Sequence, residues 1–350
     1  MKFDYVIGNP PYQKETQDTS DNPVYNEFMD AAYTVGKRIE LITPARFLFN
    51  VGKTPKSWNE KMLNDEHFKV LNYEPDSNVV FPAINGITGG VAITYYNNDE
   101  NYGIIGTFNT NNILNEFSKK MRQAVKKQGC ISDIMILQNK FDLNKLFDDY
   151  PEYRTYKNKK GEVCNRTEKR LVTNVFTTFS IFHDKKEEED IKIRGIVNSS
   201  KRISKYVNKK YVTDNGNLYK YKAIVPKAYG TGIIMDSKAP VIGKPEVLKP
   251  ETGYTQSYIG IGAFEKEEYA LNVIKYLKSK FCRCCVGILK ITQDNPPERW
   301  AYVPLQDFTE KSNIEWSNKT IAEIDQQFYK NYGLSEEEIE FIETHIKEMK

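Results

Sequence analysis

The residues best suited to chemistry stand close to the start of the chain. Asn9-Pro10-Pro11-Tyr12 follows directly on the apolar run Phe3-Asp4-Tyr5-Val6-Ile7-Gly8. The Asn9 amide oxygen is a neutral hydrogen-bond acceptor. Pro10 has a fixed φ and no N–H, so the backbone here offers a carbonyl at a set angle with no competing donor. Tyr12 adds a flat face for stacking. Two convergent acceptors and a ring suit a planar group bearing an exocyclic –NH2, such as adenine. Hydrogen bonds from that amine to Asn9 and Pro10 would draw its lone pair out of conjugation and aim it at an electrophile. No strong base is needed beforehand, because the proton leaves only after the nitrogen has become cationic. The plain alternative is a strand that ends in a Pro-rich turn with one surface tyrosine.

The elements that must position these residues follow from periodicity. Phe3–Gly8 reads as a short buried strand stopped by Gly8 and two prolines. Helical spacing of Val24, Phe28, Ala31, Ala32 and Val35 predicts a helix over 24–36, and Arg38–Thr43 a second strand closed by Pro44. A helical stretch through Trp58 to Leu63 precedes a third strand at Phe68–Tyr73 and a fourth at Gly89–Tyr96. Strands alternating with helices predict an α/β layer with a mostly parallel sheet, whose ligand crevice lies at the carboxyl ends of the strands.

After about residue 105 the texture changes. One helix, carrying Ile113, Phe117, Met121 and Val125, ends at Gly129. Short strands and Lys- and Tyr-rich loops come next, then one long helix from about Glu265 to Cys285. Lys275, Lys278, Lys280 and Arg283 fall on or near its polar side and are candidate DNA-binding residues. Two helices close the chain, the first ended by Gly333 and the second opened by the capping-box pair Ser335 and Glu338.

Composition narrows the class. The 350 residues carry 50 Lys+Arg and 47 Asp+Glu, and a chain of that length predicts two or three domains. No run approaches the roughly 18 apolar residues of a membrane span, and Met1-Lys2-Phe3-Asp4 is not a signal peptide. Five cysteines, three of them bunched at Cys282, Cys284 and Cys285, make no disulfide framework and suit a reducing cytoplasm. The near-balanced charge is segregated. Residues 1–100 hold 9 basic and 14 acidic side chains, residues 101–310 hold 36 and 24, and residues 311–350 hold 5 and 9. A basic middle between acidic flanks points to a polyanion partner. His67, His183 and His345 lie far apart in sequence and near no obvious nucleophile.

Phe3-Asp4-Tyr5-Val6-Ile7-Gly8-Asn9-Pro10-Pro11-Tyr12 resembles motif IV, the NPPY motif, of the N6-adenine DNA methyltransferases, and within them the branch tied to type IIG restriction endonucleases. Ile42-Thr43-Pro44-Ala45-Arg46-Phe47-Leu48 is similar to that family's second strand and turn. Val80-Phe81-Pro82 through Gly89-Gly90-Val91-Ala92-Ile93 is similar to its motif VIII. Ser257-Tyr258-Ile259-Gly260, the helix to Phe281, and Arg299-Trp300-Ala301-Tyr302-Val303-Pro304-Leu305 more loosely resemble its target-recognition region. The resemblance implies that Asn9 and Pro10 hold the adenine amino group, that Tyr12 and Phe81 stack on a flipped-out base, and that S-adenosylmethionine is the methyl donor.

In that family the donor-binding half precedes motif IV, and this chain starts at motif IV. The donor pocket is therefore expected to be incomplete. Ile259-Gly260-Ile261-Gly262-Ala263-Phe264, ahead of a helix, is a weak candidate donor loop, because no acidic residue stands at the matching later position. A missing half would leave Tyr5-Val6-Ile7 as an apolar sheet edge that invites a partner chain or self-association.

The expected architecture is α/β: a partial Rossmann-like methyltransferase sheet (1–105), a mixed α+β basic target-recognition domain (106–310) and a C-terminal helical hairpin (311–350). The expected function is a subunit or fragment of a site-specific adenine-N6 methyltransferase of a restriction-modification system, acting on double-stranded DNA. The alternatives are a catalytically inactive DNA-recognition protein of the same system, or the same amide chemistry on RNA or a protein glutamine.

Overall fold

A parallel strand pair sets the geometry of the amino-terminal part. The computed structural model describes residues 3–14, 22–82, 87–198, 201–229, 241–289 and 294–349, and the chain divides into two units, Met1–Lys119 and Lys120–Lys350. In the first unit β1 (Phe3–Gly8) lies parallel to β2 (Gly36–Pro44), with Tyr5 opposite Arg38 and Ile7 opposite Glu40. Parallel neighbours need a crossover, and α1 (Tyr25–Val35) supplies it, burying Tyr25 and Met29 one turn apart. After α2 (Lys56–Leu63) come β3 (Phe68–Glu74) and β4 (Val91–Asn97). The strand order is β1-β2-β4-β3.

β4 runs antiparallel to both of its neighbours, so the sheet has one parallel and two antiparallel pairings rather than the mostly parallel set expected. Among its described residues the connection from β3 to β4 holds one helical turn, Ser77–Val80, and not the long helix that a crossover usually carries. One face of the sheet, with Ile39, Leu41, Phe68 and Ala92, packs on Met29, Met62 and the interlocked rings of Tyr25, Phe47 and Trp58. The alternate side chains of β1 do not enter that core. Phe3, Tyr5 and Ile7 are 62%, 62% and 77% exposed. Among the described residues no strand pairs with the outer edge of β1, the open apolar edge the sequence led us to expect.

The division between units falls within α3 (Asn112–Gln128), later than residue 105. The second unit holds β5 (Met135–Ile136), the hairpin of β6 (Asp190–Val197) and β7 (Lys201–Asn208), then β8 (Tyr221–Pro226), β9 (Glu246–Leu248), β10 (Thr252–Tyr254) and β11 (Tyr258–Phe264). They make two sheets, β7-β6-β10 and β9-β8-β11-β5.

The single long helix expected from Glu265 to Cys285 is two: α4 (Glu267–Lys278) and α5 (Lys280–Leu289), broken at Ser279, whose ψ of 146° is extended. Ser279 Oγ caps the new start by accepting from the Cys282 N–H at 3.0 Å, and a second cap comes from far along the chain, on α6 (Ile321–Asn331). The Asp325 carboxylate accepts from the Lys280 and Phe281 N–H groups at 3.0 and 2.9 Å, capping a new helix start. Phe281 stacks on Phe328 and Tyr332 at centroid distances of 5.0 and 4.9 Å. The last forty residues, expected as a separate hairpin, thus pack within the second unit. Capping boxes open both α6, from Thr320 and Glu323, and α7 (Glu336–His345), from Ser335 and Glu338.

Burial pushes the Asp325 carboxyl up to about 6, against the pull of its two N–H donors. A carboxyl raised on folding favours the folded state fully below its unfolded value near 4, and that contribution is lost as pH rises through 6. The stability of the protein relative to its Asp325→Asn variant is therefore expected to fall by about 2–3 kcal/mol between pH 4 and pH 7. Denaturant unfolding of both proteins across that range measures it, and a flat difference would show an unshifted carboxyl.

Candidate functional site

Because β1 and β2 are parallel, their carboxyl ends open on the same side of the sheet, and Asn9–Tyr12 leaves β1 there. Asn9 and Pro11 are exposed and Pro10 and Tyr12 half-buried, with the tyrosine packed against the core. The turn is pinned by the Val24 N–H, which donates to the Tyr12 carbonyl at 3.2 Å. The Tyr12 hydroxyl is buried without a hydrogen-bond partner among the described residues, and burial pushes it up to about 12. Two more buried polar atoms without partners belong to the same end of the sheet: Thr43 Oγ1 at the end of β2 and Asn26 Oδ1 at the start of α1. Polar groups left this way are free to take a partner from outside the chain, such as water or a ligand.

Phe81 meets Tyr12. Their ring centroids lie 6.3 Å apart at an interplanar angle of 67°. The rings form a corner, not two parallel walls, so a planar guest can lie flat on one ring and meet the edge of the other. A small scaffold holds Phe81 in place. Asp76 caps the turn at Ser77–Val80 through the Asn78 N–H at 3.0 Å, and the Phe81 N–H donates to the Ser77 carbonyl at 2.8 Å. The Ile87 N–H donates to Ser77 Oγ at 2.7 Å. The Gly90 carbonyl accepts from the Ala45 N–H at 3.0 Å, which ties this loop to the end of β2. Residues 83–86 lie outside the described residues. Ser77 and Gly90 were not singled out from sequence, where Gly89-Gly90 read as the start of the fourth strand. Both glycines have positive φ, and the strand begins at Val91.

The other sequence-derived candidates fare differently. Gly260 and Gly262 lie inside β11, not in a loop. A Cβ on Gly260 would stand 2.1 Å from the Tyr254 hydroxyl, so this glycine admits a buried tyrosine rather than a phosphate or a methyl donor. The residues described fit the acceptor side of a methyl transfer, and no donor pocket is assigned to them. Lys275, Lys278, Lys280 and Arg283 do not form the open cationic row expected. Arg283 is 1% exposed, and its guanidinium donates to the carbonyls of Ser279, Lys278 and Lys347. Lys280 pairs with Glu343, Lys275 donates to the Trp316 carbonyl, and Lys278 is half-buried. All five cysteines are free; Cys282, Cys284 and Cys285 are buried, and burial pushes their thiols up. His183 bonds the Asp190 carboxylate at 2.6 Å, and its backbone pairs with that of Tyr206.

Gly90 gives this scaffold a direct test. Its φ is +76°, and a Cβ there would lie 2.3 Å from the Glu74 carbonyl oxygen, whereas Gly103, at φ +72°, has nothing within 4 Å. Gly103→Ala is expected to cost only the left-handed backbone term, about 1–2 kcal/mol. Gly90→Ala is expected to cost clearly more, and to displace Phe81. Thermal unfolding of the two variants against the parent chain checks the order, and equal losses would contradict the close approach.

Comparison with known proteins returns to the same stretch. Residues 1–81 match the family model of the Eco57I restriction-modification methylases. That match takes in β1, Asn9–Tyr12, α1, β2, α2 and β3 and ends at Phe81. Over 126 residues the chain is 30% identical to a Mycoplasma pneumoniae protein described as an uncharacterized adenine-specific methylase, a match covering 34% of this chain and 28% of that protein. The chain thus spans little more than a quarter of the length of the curated relative it matches. In its first unit it is similar to restriction-modification methylases over the residues that build the site.

Proposed function

We propose that this chain is the acceptor-side part of a site-specific adenine-N6 DNA methyltransferase of a restriction-modification system, of the type IIG-like branch. The observation that carries this reading is the placement of Asn9 and Pro10 at the carboxyl end of a parallel strand, beside the ring corner of Tyr12 and Phe81. The similarity of residues 1–81 to a methylase family supports it. A flipped adenine lies against the Tyr12 ring and meets Phe81. Its amine donates to Asn9 Oδ1 and the Pro10 carbonyl, which turns the nitrogen lone pair out of the ring plane toward the methyl group. The surplus proton then passes to solvent. S-adenosylmethionine, held by a partner chain, would supply the methyl group, its S–CH3 bond breaking to leave S-adenosylhomocysteine; that partner chain, or self-association, would cover the open edge of β1 near Tyr5–Ile7.

The test is a map of N6-methyladenine in cells carrying the native locus, with duplex binding and S-adenosylmethionine calorimetry on the purified chain. Asn9→Ala is expected to lower methylation by about 10²–10³-fold. Tyr12→Ala is expected to lower it by roughly 10–100-fold through lost stacking. Tyr12→Phe should stay near the parent level, because the hydroxyl it removes has no partner. Full methylation by Asn9→Ala would sink the assignment. Duplex binding with no methylation in the parent would establish the inactive recognition protein instead.

A further inference from the structure

The second unit carries a β-ribbon that its own core does not use. Thr155–Lys157 pairs antiparallel with Val163–Asn165, with Thr155 opposite Asn165, Tyr156 opposite Cys164, and Lys157 opposite Val163. Both strands are solvent-exposed except at Cys164; Val163 is 68% and Tyr156 45% exposed. A bare two-stranded hairpin is marginal in water, and this one is braced at its base and its tip. At the base the Arg166 N–H donates to the Arg154 carbonyl at 2.7 Å and Arg166 Nε to the Tyr153 carbonyl at 3.0 Å. The Arg166 guanidinium also sits over the rings of Phe179 and Tyr156, at 4.7 and 5.2 Å. At the tip Asn158 Oδ1 accepts from the N–H groups of Lys160 and Glu162 at 2.9 and 3.0 Å, and Gly161 takes φ +83°.

This bracing makes the two faces unequal. Tyr156 is tied down beneath Arg166, and the alternate face presents Thr155, Lys157, Val163 and Asn165 to solvent. Lys159 and Lys160 stand at the turn. Among the described residues none of Lys157, Lys159 and Lys160 has an acidic partner, whereas Lys205, Lys209, Lys210 and Lys220 of the same unit are each paired with a carboxylate. Glu162, the acid within the ribbon, is itself held by the Asn158 amide at 2.7 Å.

We propose that this ribbon enters the major groove of duplex DNA and reads its sequence, with Thr155, Lys157, Val163 and Asn165 at base edges and Lys159 and Lys160 on flanking phosphates. The proposal rests on the reading above that the substrate is duplex DNA. The dimensions agree: three residues per strand span about 10 Å, and the major groove is about 8.5 Å deep and admits a two-stranded ribbon. The chemistry agrees as well. An asparagine amide matches the N6 and N7 edge of adenine, a small apolar side chain matches the thymine methyl, and a lysine matches guanine. Duplex RNA is a poorer fit, since its major groove is too narrow for side chains to read.

The test uses the full-length chain, random-sequence duplex DNA and duplex RNA, with anisotropy titrations over a range of salt. Lys159→Ala/Lys160→Ala is expected to weaken DNA binding roughly 10–100-fold near 0.1 M salt and to lower the salt slope by about 2, close to 0.9 per phosphate contact. Arginine at both positions should restore binding. A control pair, Lys209→Ala/Lys210→Ala, whose charges are already paired with Glu189 and Asp149, should keep the parent slope. Val163→Ala and Asn165→Ala should keep that slope too, yet lose preference at one or two adjacent positions when sites are selected from a random duplex library. Unchanged slope and unchanged preference in the ribbon variants of a parent that binds DNA would overturn this inference alone. A parent chain that binds no duplex DNA would overturn the proposed function with it, and tighter binding to duplex RNA would reassign the ribbon's partner.

Discussion

The parallel pairing of β1 with β2 is the constraint on which the first unit depends. It requires the crossover that α1 provides, and α1 in turn supplies the Tyr25 and Met29 side chains that fill the core. It also brings the ends of both strands to one side, so that Asn9, Tyr12 and Thr43 share an edge of the sheet. The same strand leaves its other flank open. Any chain that paired with β1 in parallel would lie about 4.8 Å away and bring its own carboxyl end beside Asn9. Among the described residues the strand with the open edge is thus the same strand that runs on into Asn9.

The second unit solves a different problem, holding short strands and irregular loops in place with few long elements. It does so through buried polar groups that are satisfied. The Tyr254 hydroxyl donates to the Ile136 carbonyl at 2.8 Å and accepts from Asn215 at 3.2 Å, while the Tyr254 N–H donates to Asn139 Oδ1 at 3.0 Å. Lys222, fully buried, donates to the carbonyls of Asn217, Leu218 and Lys220 at 2.8, 3.1 and 3.0 Å, and burial pulls it down to about 7. Such networks fix one arrangement, since losing a single partner leaves a buried polar group unmet.

What the sequence made legible was local. Strand and helix periodicity located β1 through β4 and α1 to within a few residues, and the Ser335–Glu338 capping box fixed the start of α7. What it hid was set by residues distant in the chain. At Ser279 the local signal is one serine, whose hydroxyl caps the Cys282 N–H, while the carboxylate that takes the Lys280 and Phe281 N–H groups is the distant Asp325. Gly260-Ile261-Gly262 has the spacing of a ligand loop, yet the neighbour that demands Gly260 is the Tyr254 hydroxyl inside the sheet. In the site, Tyr12 and Phe81 could be named as partners from their resemblance. Their 67° corner could not, because it depends on the Ser77 and Gly90 hydrogen bonds that hold the loop.

Charge shows the same division most sharply. The excess of basic residues over 101–310 is real, but a net count does not say which cations are available. The helix that looked most like a phosphate-binding row spends its charges internally: Arg283 binds three carbonyls, and Lys280 binds Glu343. A guanidinium so engaged gains nothing by turning to a phosphate, since it would abandon hydrogen bonds already made in a low-dielectric setting. Lys157, Lys159 and Lys160 have nothing comparable to give up. Counterion release rewards cations that reach phosphates without first breaking protein contacts, and the ribbon lysines are among the cations of this unit that folding leaves without a carboxylate partner.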